Sequence, residues 1–87
     1  MKEWSEVKRE LYTEEQIQES DLRVALISQL IDARNEGKIS QRQLEELSGV
    51  KQPIIARIEK GDVNPRIDTV LKLLAPLGKT LAVVPKK

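Results

Sequence analysis

A pair of turn signals in the middle of the chain restricts its fold more than any other feature. Ser40, followed three residues later by Gln43, forms a capping box that starts a helix. Gly49 is placed to end that helix, because glycine enters the left-handed backbone region without a steric cost. A second short helix is expected over 51–59, where Pro53 in the first turn costs no hydrogen bond. The pattern predicts two short helices joined by a tight turn, a helix-turn-helix arrangement.

Most of the remaining chain is also predicted to be helical. Apolar residues recur at helical spacing over 21–36 and 66–77. Ser20 or Asp21 is the expected N-cap of the first of these helices, and Gly37 its left-handed stop. Aromatic residues are almost absent, so the core must be built from aliphatic side chains. The residues expected in the core are Leu22, Val24, Ala25, Leu26, Ile27, Leu30, Ile31, Ala33, Leu44, Leu47, Val50, Ile55, Ile58, Ile67, Val70, Leu71, Leu74 and Leu77.

The two ends of the chain differ in charge and are expected to form separate segments. Residues 1–20 carry three basic and six acidic side chains, net −3, whereas 61–87 carry five and two, net +3. Thr13 and Gln16 match a capping box, so the acidic arm is predicted to be partly helical. The expected organisation is therefore an arm over 1–20, a helix-turn-helix domain over 21–77, and a strand and tail over 78–87.

The C-terminal segment is β-prone and ends at a proline. A lone strand in a helical domain is unstable, because its backbone N–H and C=O groups have no partner. Pairing with the same strand of a second copy across a two-fold axis satisfies them, and another protein's sheet is the competing solution. The residues of this predicted dimerisation strand are Thr80, Leu81, Ala82, Val83 and Val84.

Composition argues against several classes of protein. The chain has no Cys and no His, so it lacks thiolate metal ligands and the commonest general base. We expect no metal, no cofactor and no enzyme activity, with Glu45, Glu46 and Glu59 on exposed helix faces. No apolar run is long enough to span a membrane, and the absence of cysteine suits a cytoplasmic protein.

The run from Ser40 to Leu77 resembles the Xre or Cro/CI-type helix-turn-helix family. The matching positions are Gln41, Leu44, Gly49, Val50, Gln52, Ile55, Ile58, Glu59, Gly61, Asn64, Pro65 and the helix over 69–74. The resemblance implies a mostly α, four- to five-helix Cro/CI-like DNA-binding domain with its helix-turn-helix at about 40–60. Two departures stand out. Glu45 replaces the usual small Ala between the two helices, and the second helix has Pro53, Ile54 and Ala56 where polar residues are common.

A narrower resemblance, to HigA-type antitoxins of type II toxin–antitoxin systems, covers nearly the whole chain. It rests on the acidic arm containing Trp4, on the run over 57–61, and on the ending over 77–85. It implies a homodimer whose partner is a small, basic, RelE-like mRNA-cleaving toxin. The candidate toxin contacts in the arm are Trp4, Val7, Leu11 and Tyr12, although the two aromatic residues could equally cover the protein's own core.

The resemblance and helix geometry together suggest which residues would contact operator DNA. The second helix would lie in the major groove, with Gln52 bonding adenine and Ile54 packing on a thymine methyl group. Arg57 would reach a guanine or a phosphate, and Gln41 would fix the register on the backbone. The remaining candidate backbone contacts are Gln43, Lys51, Lys60 and Arg66.

Two other functions remain open from the sequence. One is a stand-alone Xre-type transcriptional repressor with no toxin partner. The other is an interaction module that no longer binds DNA, which the departures at Glu45, Pro53 and Ala56 motivate.

Overall fold

Four α-helices and one 3₁₀ turn make up the structure, a computed structural model that describes residues 13–86. The helices are α1 Glu14–Glu36, α2 Gln41–Ser48, α3 Gln52–Lys60 and α4 Ile67–Leu74, and the 3₁₀ turn is Ala75–Leu77. The mostly helical fold is confirmed, as is the helix-turn-helix at about 40–60, formed by α2 and α3.

Helix α1 begins earlier than its apolar pattern predicts. The Gln16 N–H donates to Thr13 Oγ1 at 3.1 Å, and the Thr13 N–H donates to Gln16 Oε1 at 3.0 Å. This confirms the capping box. The helix then continues through Ser20 and Asp21, so the N-cap expected there was wrong. The Glu- and Gln-rich stretch after Thr13 favours helix, and nothing in it interrupts the backbone.

The end of α1 also differs from the expectation. Gly37 has a right-handed conformation, with φ of −79°, and Lys38 takes the left-handed position at φ 55°. The stop predicted at Gly37 was therefore wrong by one residue. The Ile39 N–H donates to the Arg34 carbonyl oxygen at 3.1 Å, the bond that places the left-handed residue of a Schellman-type end at Lys38.

The signals around α2 and α3 are confirmed. Ser40 and Gln43 form the predicted capping box. Gly49 is left-handed at φ 80° and ends α2, while Pro53 lies in the first turn of α3. Pro76 lies in the 3₁₀ turn that follows α4, and Gly78 closes it at φ 71°.

The core lies where all four helices meet. Its buried members are Leu30, Leu44, Val50, Ile55, Ile58, Val70, Leu73 and Leu74, with Leu26, Ile39, Val63 and Leu77 packed against them. Ile27 is buried as well. Leu73, which the sequence pattern missed, is completely buried.

Six residues expected in the core are instead exposed: Leu22, Val24, Ala25, Leu47, Ile67 and Leu71. Helix α4 turns Val70, Leu73 and Leu74 inward, which leaves Ile67 and Leu71 on the edge of its apolar stripe. Leu47 lies in the last turn of α2, where buried Val50 fills the corner in its place.

The C-terminal segment after Gly78 lies outside the helices. The Lys79 N–H donates to the Leu74 carbonyl oxygen at 3.0 Å, and residues 81–86 are exposed. No strand is assigned within residues 13–86, and a ladder needs a second strand. The dimerisation strand therefore stays a prediction.

Candidate nucleic-acid interface

A chain of four polar side chains links α1, α2 and α3 at one end of the domain. It begins with Arg34 in the last turn of α1 and continues through Glu59 in α3 and Gln41 at the start of α2. It ends at Gln52, the first residue of α3. The two glutamines that the sequence singled out for DNA contact are therefore neighbours in space.

The inner end of this chain is a bidentate ion pair. Arg34 Nε donates to Glu59 Oε2 at 2.7 Å, and Arg34 Nη2 donates to Glu59 Oε1 at 2.8 Å. Arg34 Nη1 donates to the Ile39 carbonyl oxygen at 2.9 Å. The side chains are 14% and 8% exposed, so water screens the pair only weakly. The hydrogen bonds to Glu59, and then its charge, raise the pKa of Arg34 against the opposing effect of burial.

The outer end of the chain orients both glutamine amides. Because a carboxylate only accepts, Gln41 presents its Nε2 to Glu59 Oε1, at 3.0 Å. Gln41 Oε1 then accepts from Gln52 Nε2 at 2.7 Å. Gln52 keeps one amide hydrogen and its carbonyl oxygen for another partner. One donor and one acceptor on the same amide is the combination that pairs with adenine N7 and N6 in the major groove.

The other residues proposed on α3 lie around its outer side. At about 100° per residue, Arg57 and Lys60 lie opposite the buried pair Ile55 and Ile58. Lys51, Arg57 and Lys60 are exposed, and Ile54 is 45% exposed. Arg57 and Lys60 therefore share one accessible face of α3, whereas Lys51 is its N-cap residue and lies one turn before the buried Ile55.

Gln43 and Arg66 lie outside the chain of four polar side chains that ends at Gln52. Gln43 uses its side-chain oxygen to accept the Ser40 N–H at 2.7 Å, and it lies about 200° around α2 from Gln41. Arg66 precedes α4 and pairs with Asp68 at 3.3 Å, with both side chains well exposed. The toxin contacts proposed at Trp4, Val7, Leu11 and Tyr12 lie outside the described residues.

Sequence reasoning missed three residues that support this surface: Arg34, Glu45 and Glu59. Placing Glu59 on an exposed face was wrong, and Glu45 is half-buried, whereas Glu46 is exposed. A signal for Glu59 was available. It follows Ile55 by four residues and Ile58 by one, so it borders the buried stripe of α3.

The described residues 13–86 contain no group of three metal-ligating acidic, His or Cys side chains. None of their helices is long and apolar enough to cross a membrane.

The geometry defines a helix-turn-helix domain, in which two short helices are joined at a left-handed glycine. Each helix begins with a glutamine, and the two glutamine side chains are hydrogen-bonded to each other. A helix-turn-helix family model, HTH_3, matches residues 30–84. The chain belongs to this helix-turn-helix family.

Similar proteins come from several bacteria. An uncharacterized HTH-type transcriptional regulator of Haemophilus influenzae is 63% identical over 82 residues, covering 94% of this chain and 84% of its own length. The HTH-type transcriptional regulator PuuR of Escherichia coli is 38% identical over 63 residues. That match covers 72% of this chain but only 34% of PuuR.

A solved structure is similar over nearly the whole chain. It is described as a toxin–antitoxin module from Streptococcus pneumoniae. One of its chains is 60% identical, with a TM-score of 0.77, and the match covers 99% of this chain and 96% of that one.

Proposed function

We propose that this protein is an antitoxin that represses its own operon as a dimer and neutralises a small RelE/HigB-like mRNA-cleaving toxin. The observation that carries the proposal is the similarity to a chain of the pneumococcal toxin–antitoxin module, at 60% identity over 99% of this protein. Because operator DNA and an mRNA-cleaving toxin both act in the cytoplasm, the proposal includes a cytoplasmic location. The second candidate function is a stand-alone repressor, which shares the DNA surface but has no toxin partner. The Haemophilus and Escherichia relatives are named as HTH-type transcriptional regulators, which favours a role in transcription without naming a toxin.

The DNA-binding half of the proposal rests on the glutamine pair. Helix α3 enters the major groove, where Gln52 bonds adenine while Gln41, at the start of α2, contacts the backbone. Ile54 packs against a thymine methyl group, and Arg57 reaches a guanine or a phosphate. The residues left for backbone contacts are Gln43, Lys51, Lys60 and Arg66.

The toxin-binding half rests on charge. Residues 1–20 carry net −3, and Glu15 and Glu19 are exposed on α1. Leu22, seven residues after Glu15 and three after Glu19, is 71% exposed, which places an apolar contact beside the acidic ones on one face of the helix. An acidic and apolar surface complements a toxin built to hold RNA. Glu15 lies nineteen residues before Arg34 in one helix, roughly 28 Å along its axis, so toxin and DNA would occupy opposite ends of α1.

A growth assay tests the toxin half. The reading frame next to this gene is expressed in cells together with either the full chain or a chain lacking residues 1–12, which carry Trp4, Val7, Leu11 and Tyr12. We expect the full chain to restore growth and the shortened chain to fail while still binding operator DNA. Rescue by the shortened chain would refute this placement of the toxin contacts. A neighbouring product without toxicity would favour the stand-alone repressor.

The dimer would form through the C-terminal strand. Val83 is fully exposed and Val84 is 73% exposed, which leaves apolar side chains for a second copy to cover. Leu81 and Val83 lie on one face of an extended strand. We expect the double variant Leu81→Asp/Val83→Asp to sediment as a monomer and the wild type as a dimer. Lys86→Asp, which adds an acidic residue outside the strand, is the matched control. A double variant that stays dimeric would exclude this strand as the interface.

A further inference from the structure

The first turn of α3 is capped by a residue of the helix before it. The Gln52 N–H donates to Glu45 Oε1 at 2.6 Å. Lys51, the N-cap residue of α3, provides no side-chain hydrogen bond of its own. A carboxylate that accepts a backbone N–H at a helix start is a charge-assisted cap, and it also suits the positive end of the helix dipole.

The other donors of this turn are already accounted for. Pro53 has no N–H, and the Ile54 N–H donates to the Lys51 carbonyl oxygen at 3.0 Å. Helix starts often bind phosphate through free N–H groups. The start of α3 has its first N–H bonded to the Glu45 carboxylate, so that N–H is not available to a phosphate. The arrangement suits a helix end that meets base edges in the groove.

Glu45 also ties together both sides of the turn. Its carbonyl oxygen accepts the Gly49 N–H at 2.8 Å, while its carboxylate reaches past the turn to α3. The Ala usual at this position in the Cro/CI-type proteins that the chain resembles could make only the first of these bonds. The departure from the family pattern therefore adds a link that an alanine cannot supply.

This link acts on the residue proposed to read the operator. Gln41 and Glu45 are four residues apart and share one face of α2. Gln41 holds the Gln52 side chain at 2.7 Å, and Glu45 holds the Gln52 backbone. Helix α2 thus fixes Gln52 at two points, which sets both its position and the direction of its amide.

We propose that Glu45 is a positioning residue for base readout, which holds Gln52 in place by capping α3 from the neighbouring helix. The inference rests on the proposed DNA binding and goes beyond it, because Glu45 need not touch DNA. Its effect is on specific binding. Contacts to phosphates by Lys51 or Lys60 do not depend on the direction of the Gln52 amide.

The test compares Glu45→Ala, Glu45→Gln and the neighbouring exposed Glu46→Ala. The probes are a duplex selected by the wild-type chain from a random pool and an unrelated duplex. We expect Glu45→Ala to weaken binding to the selected duplex by about five- to tenfold, the effect of losing one helix cap. Binding to the unrelated duplex should stay level. Glu45→Gln keeps an acceptor oxygen and should bind the selected duplex within about threefold of wild type. Glu46→Ala should bind both duplexes as tightly as wild type does.

All affinities are compared at a temperature at which circular dichroism shows each variant fully folded. Glu45→Ala binding the selected duplex as tightly as wild type would overturn the inference, as would Glu45→Gln binding as weakly as Glu45→Ala. If Glu45→Ala does not fold, the hydrogen-exchange rate of the Gln52 backbone N–H in Glu45→Gln tests the inference instead. Protection as in wild type supports the inference, and its loss overturns it. A wild-type chain that selects no sequence would overturn DNA binding itself, together with this inference.

Discussion

Glu59→Ala should lower the free energy of unfolding by about 3 kcal/mol, the usual cost of leaving one partner of a buried ion pair alone. Arg34 would keep its charge with no carboxylate beside it, in a position where its side chain is 14% exposed. Small domains are stable by about 5 kcal/mol, so the variant should melt roughly 10 to 20 °C below wild type. It should also lose operator binding, because Gln41 loses the acceptor that orients it.

Calorimetry and operator titration separate these two effects when a second variant is included. Replacing both partners, as Arg34→Met/Glu59→Leu, removes the charges together and should recover most of the stability. It should not recover operator affinity, since no carboxylate then holds Gln41. Asp68→Ala, which breaks the exposed pair with Arg66, is the matched control and should cost less than about 1 kcal/mol. An equally large loss in that control, or full operator binding by the double variant, would contradict the role given to Glu59.

Gln52→Ala should weaken operator binding by about 10- to 100-fold with little change in stability, the range for one bidentate amide–adenine pair. The side chain is bonded at 2.7 Å to Gln41 and lies at the border of the surface, so its removal leaves no cavity in the core. The loss should be largest on duplexes that keep the adenine it reads. Duplexes that carry another base pair there should already bind weakly.

Equilibrium binding of single and double variants measures this contribution. Gln41→Ala and Gln52→Ala should be strongly non-additive, because each holds the other's amide. Gln29→Ala, an exposed glutamine on α1, should bind like wild type. If neither Gln52→Ala nor Arg57→Ala changed operator affinity, the protein would be an interaction module that no longer reads DNA.

The local signals in the sequence predicted the helices well, because caps and turns depend on nearby residues. The hydrogen bonds of the capping boxes at Thr13 and Ser40 join residues three apart, and the Gly49 N–H donates to a carbonyl oxygen four residues earlier. Such bonds can be read from spacing alone. Where two signals competed, as at Ser20 and Asp21 against Thr13, the earlier capping box started the helix and the later candidates were absorbed into it.

Contacts between distant residues were less accessible. Arg34 and Glu59 are 25 residues apart, and Glu45 and Gln52 face each other only because α2 and α3 cross at one angle. The periodicity of the sequence does not predict the angle between α2 and α3. The candidate glutamines could be named from their position in the motif, but the bonds that hold them depend on how three helices pack.

The order of the polar chain has a consequence for how such regulators diverge. Arg34 and Glu59 form the inner ion pair, Glu59 orients the Gln41 amide, and Gln41 in turn orients Gln52 at the outer end. Under the proposed function, a substitution at Gln52 changes the side chain that meets the operator and leaves the ion pair intact. Duplicated genes could therefore acquire different operators through few changes, each copy keeping its stability and ceasing to cross-regulate the other.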